Sequence, residues 1–250
     1  MASGGDLPTA SEIEVRKFKD IDLTEGSIVE AIPTVGFLSP IASSYIIQSL
    51  ELDQIAALES PAFPPVSMIY ARKPKFPARV YAREDLKLAI FISEIPMHPG
   101  LHRPMAQTLL DWTRDQAGRE IICLEGLPVP EGKTEPGVWG VGSTERARGR
   151  LEESGIDQLE IGMIPGISGV LLNEGRWVKL DVISLVTETQ PAIPDALAAA
   201  RLVEAVDKLL PQVEIPIDPL VEQAERIQEH LAAVQEQARP AMEPALDIYR

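Results

Sequence analysis

The chain has 250 residues, of which 45% are apolar, so it can bury one large hydrophobic core or two small ones. Its 38 acidic and 23 basic residues give a net charge of -15, and this field repels nucleic-acid phosphates and anionic membrane surfaces. We therefore expect neither a nucleic acid nor a membrane as a partner. The single cysteine, Cys123, lies in an apolar run and has no second cysteine to pair with, which favours a reducing cytoplasm.

Two segments bear on export and membrane insertion. Residues 1–27 carry charges throughout, so they contain no apolar segment typical of a secretory signal. Residues 31–50 carry no charge, but Pro33, Gly36 and Pro40 interrupt them. We expect a buried strand, a loop and a helix in this stretch and no membrane span.

The hydrophobic pattern predicts a short buried strand at residues 27–32, a turn at 33–36 and a helix from Pro40 to Leu50. Further short runs rich in β-branched residues predict strands at 66–70, 79–81, 88–93, 120–124, 138–141 and 180–186. Helices are predicted at 100–116, 144–154, 194–210 and 219–238. Because strands and helices alternate in the later part of the chain, we predict a three-layer α/β domain with a largely parallel sheet.

These elements divide the chain into four parts. We predict a partly flexible N-terminal segment at 1–27, the α/β domain at 28–212, a C-terminal helical segment at 213–239 and an extended tail at 240–250. The helix from Pro194 carries an apolar series that we expect to lie on the sheet, namely Leu197, Ala200, Val203, Val206 and Leu210.

The last predicted helix begins at Asp218 and Pro219, a helix-capping acceptor followed by a proline suited to the first turn. Its apolar positions form a narrow stripe among charged residues, namely Leu220, Ala224, Ile227, Leu231 and Val234. A stripe of this kind is typical of a helix that packs against another helix, and it is our candidate oligomer contact. Pro240 and Pro244 then prevent regular helix, so we expect an extended end.

Motifs for cofactor or metal chemistry are incomplete. The sequence Gly140-Val141-Gly142 follows a predicted strand but lacks the third glycine of a dinucleotide-binding loop, and a tight turn explains it better. His98 and His102 are four residues apart, but Pro99 and Gly100 keep them off a shared helix face. We predict no metal, no cofactor and no nucleophile triad.

Acidic residues at the predicted strand ends leave one catalytic alternative open. Glu94, Glu125 and Glu188 lie where α/β active sites collect, so a transferase or hydrolase acting on a small molecule in this cleft is an alternative hypothesis. Surface carboxylates are the commoner explanation in so acidic a chain.

Several segments, in order and spacing, resemble the archaeal form of the proteasome assembly chaperone family from about residue 28 to 238. They are 33–36 with 42–47, 124–128 (Leu-Glu-Gly-Leu-Pro), 166–172 (Gly-Ile-Ser-Gly-Val-Leu-Leu), and 188–189 with 194–196. The first loop departs from the family, which is richer in glycine there, because this chain has Leu38-Ser39-Pro40 after Gly36. The resemblance implies an α/β fold like that of nucleoside phosphorylases without their catalysis, and therefore a protein that is not an enzyme.

The last three residues, Ile248-Tyr249-Arg250, match the hydrophobic-tyrosine-any-residue ending of family members that bind proteasomes. The resemblance implies docking on the α subunits of the proteasome core particle, as an assembly chaperone or as a gate-opening activator. An apolar side chain, a phenol and a terminal carboxylate suit a pocket between subunits that carries a lysine. One such tail binds weakly, so we expect a homo-oligomer, or an assembly with a related family member, that presents several tails.

A further alternative is a scaffold subunit that pairs through the last helix and keeps its tail buried.

Overall fold

The computed structural model describes residues 13–33, 35–129, 137–189 and 195–216, together with Pro219, Val221, Glu222, Arg226 and Glu229. The strands are β1 (Glu14–Lys17), β2 (Ser27–Ala31), β3 (Asp53–Glu59), β4 (Met68–Tyr70), β5 (Lys73–Lys75), β6 (Ala78–Arg83), β7 (Leu88–Ser93), β8 (Glu120–Pro128), β9 (Val138–Gly142) and β10 (Asp181–Thr189). The α-helices are α1 (Leu38–Ser49), α2 (His102–Asp115), α3 (Glu145–Glu153), α4 (Gly166–Val178) and α5 (Ala196–Leu209).

One eight-stranded sheet organises the fold, in the order β1-β3-β6-β7-β2-β8-β10-β9. The central strands β7, β2, β8 and β10 are parallel, whereas β6 and β9 run antiparallel to their neighbours. Strands β4 and β5 form a separate two-stranded hairpin. The prediction of a three-layer α/β domain is confirmed. The prediction of a largely parallel sheet holds for the four central strands only, because β1, β3, β6 and β9 form antiparallel pairs.

The central strands are apolar on both faces because helices cover both. On one face, Val29, Ile90 and Ile122 belong to a core that also includes side chains of α1, α3 and α5. On the other face, residues of the same strands pack with α2 and α4. Here Phe91 and Trp112 meet edge to face with ring centroids 4.9 Å apart.

The uncharged stretch from residue 31 to 50 forms the end of β2, a short loop and α1, as expected, and most of it is buried. No helix among the described residues is long and apolar enough to cross a membrane.

Four elements of the structure were not predicted, namely β1, β3, β5 and α4. Strands β1 and β5 are only four and three residues long and are mostly charged. Strand β3 was not predicted because its sequence, Asp-Gln-Ile-Ala-Ala-Leu-Glu, is poor in β-branched residues. Helix α4 was not predicted because it contains Gly169 and Gly175, which disfavour helix. Both glycines allow a close approach, since a Cβ would lie 2.2 Å from the Ile164 carbonyl oxygen at the first and 2.5 Å from Val182 at the second.

Helix α5 corrects one predicted position. Ala200, Val203, Val206 and Leu210 are buried as expected, but the Leu197 residue is 47% exposed. An α-helix rotates about 100° per residue, so a residue three positions further along falls about 60° short of a full turn. Three such steps lead from Leu197 to Val206, which therefore lies on the opposite side of the helix. The expectation that Leu197 lies on the sheet was therefore wrong.

Candidate functional site

The four central parallel strands end at one edge of the sheet, where ligands bind in open α/β folds. Each strand brings a carboxylate to this edge: Glu94 follows β7, Glu30 lies in β2, Glu125 in β8 and Glu188 in β10. Glu30, Glu94 and Glu125 are buried. A buried carboxylate needs a specific partner, so the contacts of these residues decide what the edge can do.

Glu30 and Glu125 share the hydroxyl of Ser168, which lies in the first turn of α4. The Ser168 Oγ atom is 3.2 Å from Glu30 Oε2 and also forms a short hydrogen bond with Glu125 Oε1. The backbone N–H of Ile32 donates to Glu30 Oε1 over 2.9 Å. Since a hydroxyl has one proton, Ser168 can donate to one carboxyl group only, and the other contact requires a carboxyl group that carries a proton.

The electrostatics assign that proton to Glu30. Complete burial, and then the negative charge of Glu125, raise the pKa of Glu30 to about 8, although the Ile32 N–H and Ser168 act in the opposite direction. Burial therefore favours the protonated, neutral form of Glu30 at pH 7. The same burial, followed by the charge of Glu30, raises the pKa of the adjacent Cys123 thiol well above its usual value, so this cysteine is a protonated core side chain.

Glu94 belongs to a different cluster. It forms an ion pair with Arg79 of β6, and both side chains are almost fully buried. The Tyr70 hydroxyl donates to Glu94 Oε1 over 3.0 Å, and the Arg79 guanidinium donates to the Phe76 carbonyl oxygen over 2.7 Å. Burial lowers the pKa of Arg79, but the charge and hydrogen bond of Glu94, together with Tyr81 and Tyr70, outweigh burial, so the pKa of Arg79 is raised. This cluster fastens the hairpin β4–β5 to the main sheet.

The three carboxylates predicted as a possible catalytic set therefore have separate roles. Glu94 is neutralised by Arg79, and Glu125 contacts Ser168 together with Glu30. Glu188 lies further along β10, in register with Leu127 of β8. Glu94 and Glu125 occupy different side-chain clusters, and neither is presented to solvent.

A surface cavity of about 470 Å³ lies at the opposite, amino edge of the parallel strands. Its lining includes Asp22, Glu84 and Asp115, and it is remote from the strand ends where the predicted carboxylates lie. The Asp22 carboxylate is engaged by Lys87 Nζ at 2.7 Å.

The glycine and histidine motifs have structural explanations. At Gly142 a Cβ would lie 2.7 Å from the backbone nitrogen of Arg148, so Gly142 lets α3 approach β9. The His98 Nδ1 atom accepts the N–H of Gly100 over 3.1 Å, and His102 begins α2. Within the described parts of the chain, no group of three or more His, Cys, Asp or Glu side chains could hold a metal ion.

The predicted docking tail, Ile248 to Arg250, lies outside the described residues. The same holds for the predicted oligomer stripe, namely Leu220, Ala224, Ile227, Leu231 and Val234. Of the predicted last helix, the described positions Val221, Glu222, Arg226 and Glu229 are helical, and Arg226 Nη2 donates to Glu222 Oε1 over 2.5 Å. The boundaries of the helical segment and the tail stay predictions.

Sequence reasoning missed Glu30, Arg79 and Ser168. One signal was available, because a glutamate in the centre of the run Ile28-Val29-Glu30-Ala31-Ile32 is unusual in a buried strand and indicates a buried polar contact. Its partner Ser168 is 138 residues away, so the local sequence could not identify it.

The geometry defines a three-layer α/β protein. At the carboxyl edge of its central sheet, the side chains of Glu30, Glu94 and Glu125 are buried and bound by other residues of the same chain. The model of the PAC2 family matches residues 28–235, and the chain belongs to this family.

Solved structures of similar proteins span nearly the whole chain. Pyrococcus furiosus PbaA, an archaeal homolog of proteasome-assembly chaperone, is 30% identical with a TM-score of 0.81, and the match covers 92% of this chain and 99% of PbaA. P. furiosus PbaB, an archaeal proteasome activator, is 27% identical with a TM-score of 0.73, and the match covers 90% of this chain and 99% of PbaB. An uncharacterized protein of Methanocaldococcus jannaschii is 27% identical over 217 residues, which are 87% of this chain and 88% of that protein. The resemblance drawn from the sequence segments is confirmed.

Proposed function

We propose that this chain is a non-catalytic proteasome-binding protein, an assembly chaperone or a gate-opening activator, that docks on the α ring of the core particle through Ile248-Tyr249-Arg250. The observation that carries the proposal is the similarity over almost the whole chain to PbaA and PbaB, which are described as a proteasome-assembly chaperone homolog and a proteasome activator. The acidic character of the chain and its single buried cysteine are consistent with a cytoplasmic location.

The carboxyl edge of the sheet supports a non-catalytic role. Glu30 and Glu125 both contact the Ser168 hydroxyl within the protein, and Glu94 is bound to Arg79. A general acid or base must reach the group with which it exchanges a proton. These carboxylates are buried among their own partners, so they suit the stability of the fold better than contact with a substrate.

The tail supplies the binding chemistry. The Ile248 side chain fills an apolar pocket, the Tyr249 ring adds contact area with a hydroxyl, and the terminal carboxylate pairs with a lysine of the α ring. Burial of an isoleucine-sized side chain stabilises by roughly 1.5–3 kcal/mol, and the entropy of association offsets much of this. A single tail therefore binds weakly. A homo-oligomer that presents several tails gains roughly a hundredfold or more in avidity when their spacing matches the ring.

Deletion of residues 248–250 tests the proposal. The full-length protein is expected to co-sediment with purified archaeal-type core particle, and the truncated protein is expected to remain in the supernatant because it has lost the pocket-filling residues and moved the terminal carboxylate. The matched control is Glu243→Ala, which changes the segment predicted to be extended but keeps the last three residues, and it should co-sediment like the intact chain. Co-sedimentation of the truncated protein at the intact level would contradict docking through the tail.

A further inference from the structure

Residues 210–216 follow helix α5 and form a strap on the face of the sheet that α1 and α5 cover. The strap ends at Pro216, just before the helix predicted at 219–238. We propose that the strap fixes the point and the direction in which the C-terminal residues leave the α/β domain, and that Tyr45 is a positioning residue for docking. This inference rests on the proposed function, because the direction matters for docking only if residues 248–250 bind the core particle.

The local sequence explains why α5 stops and the strap begins. Pro211 disfavours helical geometry in the residue before it, and Leu210 leaves the helix with φ -117° and ψ 67°. The N–H of Val213 then donates to the Leu210 carbonyl oxygen over 2.8 Å, which closes a turn with proline in its favoured second position. Pro216 restricts Ile215 in the same way, so the strap has few alternative conformations.

Alternate side chains fasten the strap to the core. Val213 and Ile215 are buried and belong to the core that contains side chains of α1 and α5. Gln212, Glu214 and Pro216, which lie between and beside them, are exposed. This alternation is typical of an extended segment with one buried face. The strap therefore cannot lift off the helices without exposing apolar surface to water.

Two hydrogen bonds from the domain hold the backbone at the end of the strap. The N–H of Ile215 donates to Oδ1 of Asp207, in the last turn of α5, over 3.0 Å. The hydroxyl of Tyr45, in α1, donates to the carbonyl oxygen of Pro216 in a short hydrogen bond. Because the two bonds act on successive residues and come from two different helices, they fix both the position and the orientation of the chain at this point.

The hydroxyl of Tyr45 serves the strap and not the packing of the core. Tyr45 is fully buried, and a phenol at this depth needs a hydrogen-bond partner. Among the residues that the structure describes, its hydroxyl bonds only to Pro216. A phenylalanine ring would fill the same space, and Pro216 is exposed, so water can take the place of the lost hydroxyl. We therefore expect Tyr45→Phe to keep the fold and to loosen the end of the strap.

The orientation at Pro216 matters because a helix is predicted to follow it. A helix at 219–238 would span about 30 Å, so a tilt of about 20° at its base would move its far end by about 10 Å. Several tails must reach matched pockets of the ring at the same time, and a displacement of this size lowers their effective concentration at those pockets. A fixed base for the helix therefore favours docking without touching the core particle.

A distance measurement within one full-length chain tests the strap directly. Spin labels are attached at Glu152→Cys on α3 and at Glu229→Cys in the last helix, both of which are exposed positions. The native Cys123 is buried and should not react with the label. The labelled chain is diluted with unlabelled chain, so that double electron–electron resonance records distances within one chain only.

The unaltered chain should give one narrow distribution of distances. Tyr45→Phe should broaden it by about 5 Å or more, because the label at 229 lies about 15 Å along the predicted helix from its base. Asp207→Ala should broaden the distribution as well, whereas Asp207→Asn keeps the acceptor for the Ile215 N–H and should leave it narrow. The matched control is Tyr70→Phe, which removes a hydroxyl that donates to Glu94, outside the strap and its contacts, and should also leave it narrow.

Affinity for purified core particle provides the second measurement. Tyr45→Phe should raise the dissociation constant by about threefold or more, although residues 248–250 are unchanged. Tyr70→Phe should bind as the unaltered chain does. A general loss of stability would affect both phenylalanine variants, so it could not produce this difference between them.

Three results would overturn the inference. They are a broad distribution in the unaltered chain, a distribution for Tyr45→Phe as narrow as that of the unaltered chain, and a broadened distribution with unchanged affinity for the core particle. The distance measurement contains no core particle, so its failure leaves docking through the tail to be judged by the truncation at residues 248–250. If the truncated protein binds normally, docking through the tail fails even where the distances behave as expected.

Discussion

Arg79→Leu should lower the free energy of unfolding by about 3–5 kcal/mol, because it leaves the Glu94 carboxylate buried without its cation. Both side chains are almost inaccessible to solvent, so water cannot replace the lost partner. The guanidinium also donates to the Phe76 carbonyl oxygen and lies 5.3 Å from the Tyr70 ring, and these contacts are lost as well. Denaturant unfolding at pH 7 measures the change.

The double substitution Arg79→Leu with Glu94→Leu separates the cost of an unpaired charge from the value of the ion pair. We expect it to recover most of the lost stability, since an apolar pair of similar size is often as stable as a buried ion pair. The matched surface control is Arg103→Leu, which breaks the exposed pair with Glu174 and should change stability by less than about 1 kcal/mol. A similar small loss for Arg79→Leu would show that Glu94 does not depend on its partner.

Glu30→Gln should remove a pH dependence of stability. The pKa of Glu30 is raised from its ordinary value of 4.5 to about 8 in the folded chain, by burial and by the charge of Glu125. Between these pH values the folded state holds a proton that the unfolded state has released, so the unfolding free energy falls as pH rises, by up to about 1.4 kcal/mol per pH unit. This contribution is fully present below about pH 4.5 and is lost as the pH rises through about 8.

Glutamine keeps the size of the side chain and has no proton to lose in this range. The stability of Glu30→Gln relative to the unaltered chain should therefore increase steadily when denaturant unfolding is measured at pH 5, 6, 7 and 8. The exposed position Glu214→Gln provides the control, for which the difference from the unaltered chain should be the same at every pH. Parallel stability curves for Glu30→Gln and the unaltered chain would mean that Glu30 is ionised in the folded state.

The local sequence pattern correctly predicted the elements whose hydrophobic pattern matches their burial in the fold. The strands β2, β7, β8 and β10 are apolar on both faces, and the structure buries them between two helix layers. Cys123 was correctly predicted as a core side chain. Strand β3 and helix α4 were missed because tertiary contacts override their weak local preferences.

The candidate site was less predictable because its contacts are distant in sequence. Glu94 and Glu125 were noted as carboxylates near strand ends, but their partners determine what they do. Arg79 reaches Glu94 from a neighbouring antiparallel strand, and Ser168 reaches Glu125 from a helix that the periodicity did not indicate. A sequence pattern records that a charge is present, whereas the fold decides whether it is neutralised or presented to solvent.

The proposed docking depends on the expected homo-oligomer, because the last three residues of one copy bind the core particle only weakly. A weak tail becomes effective only when several act together, so loss of assembly should weaken core-particle binding even when the tail is intact.

The affinity of the full-length protein for purified core particle tests the central claim most directly, measured side by side for the unaltered chain, Tyr249→Ala and Leu246→Ala. Tyr249→Ala removes the aromatic ring of the docking residues, and we expect its dissociation constant to rise by about tenfold or more. Leu246→Ala removes a nearby apolar side chain outside the last three residues and should bind as the unaltered chain does. Equal dissociation constants for Tyr249→Ala and the unaltered chain would contradict docking through the tail.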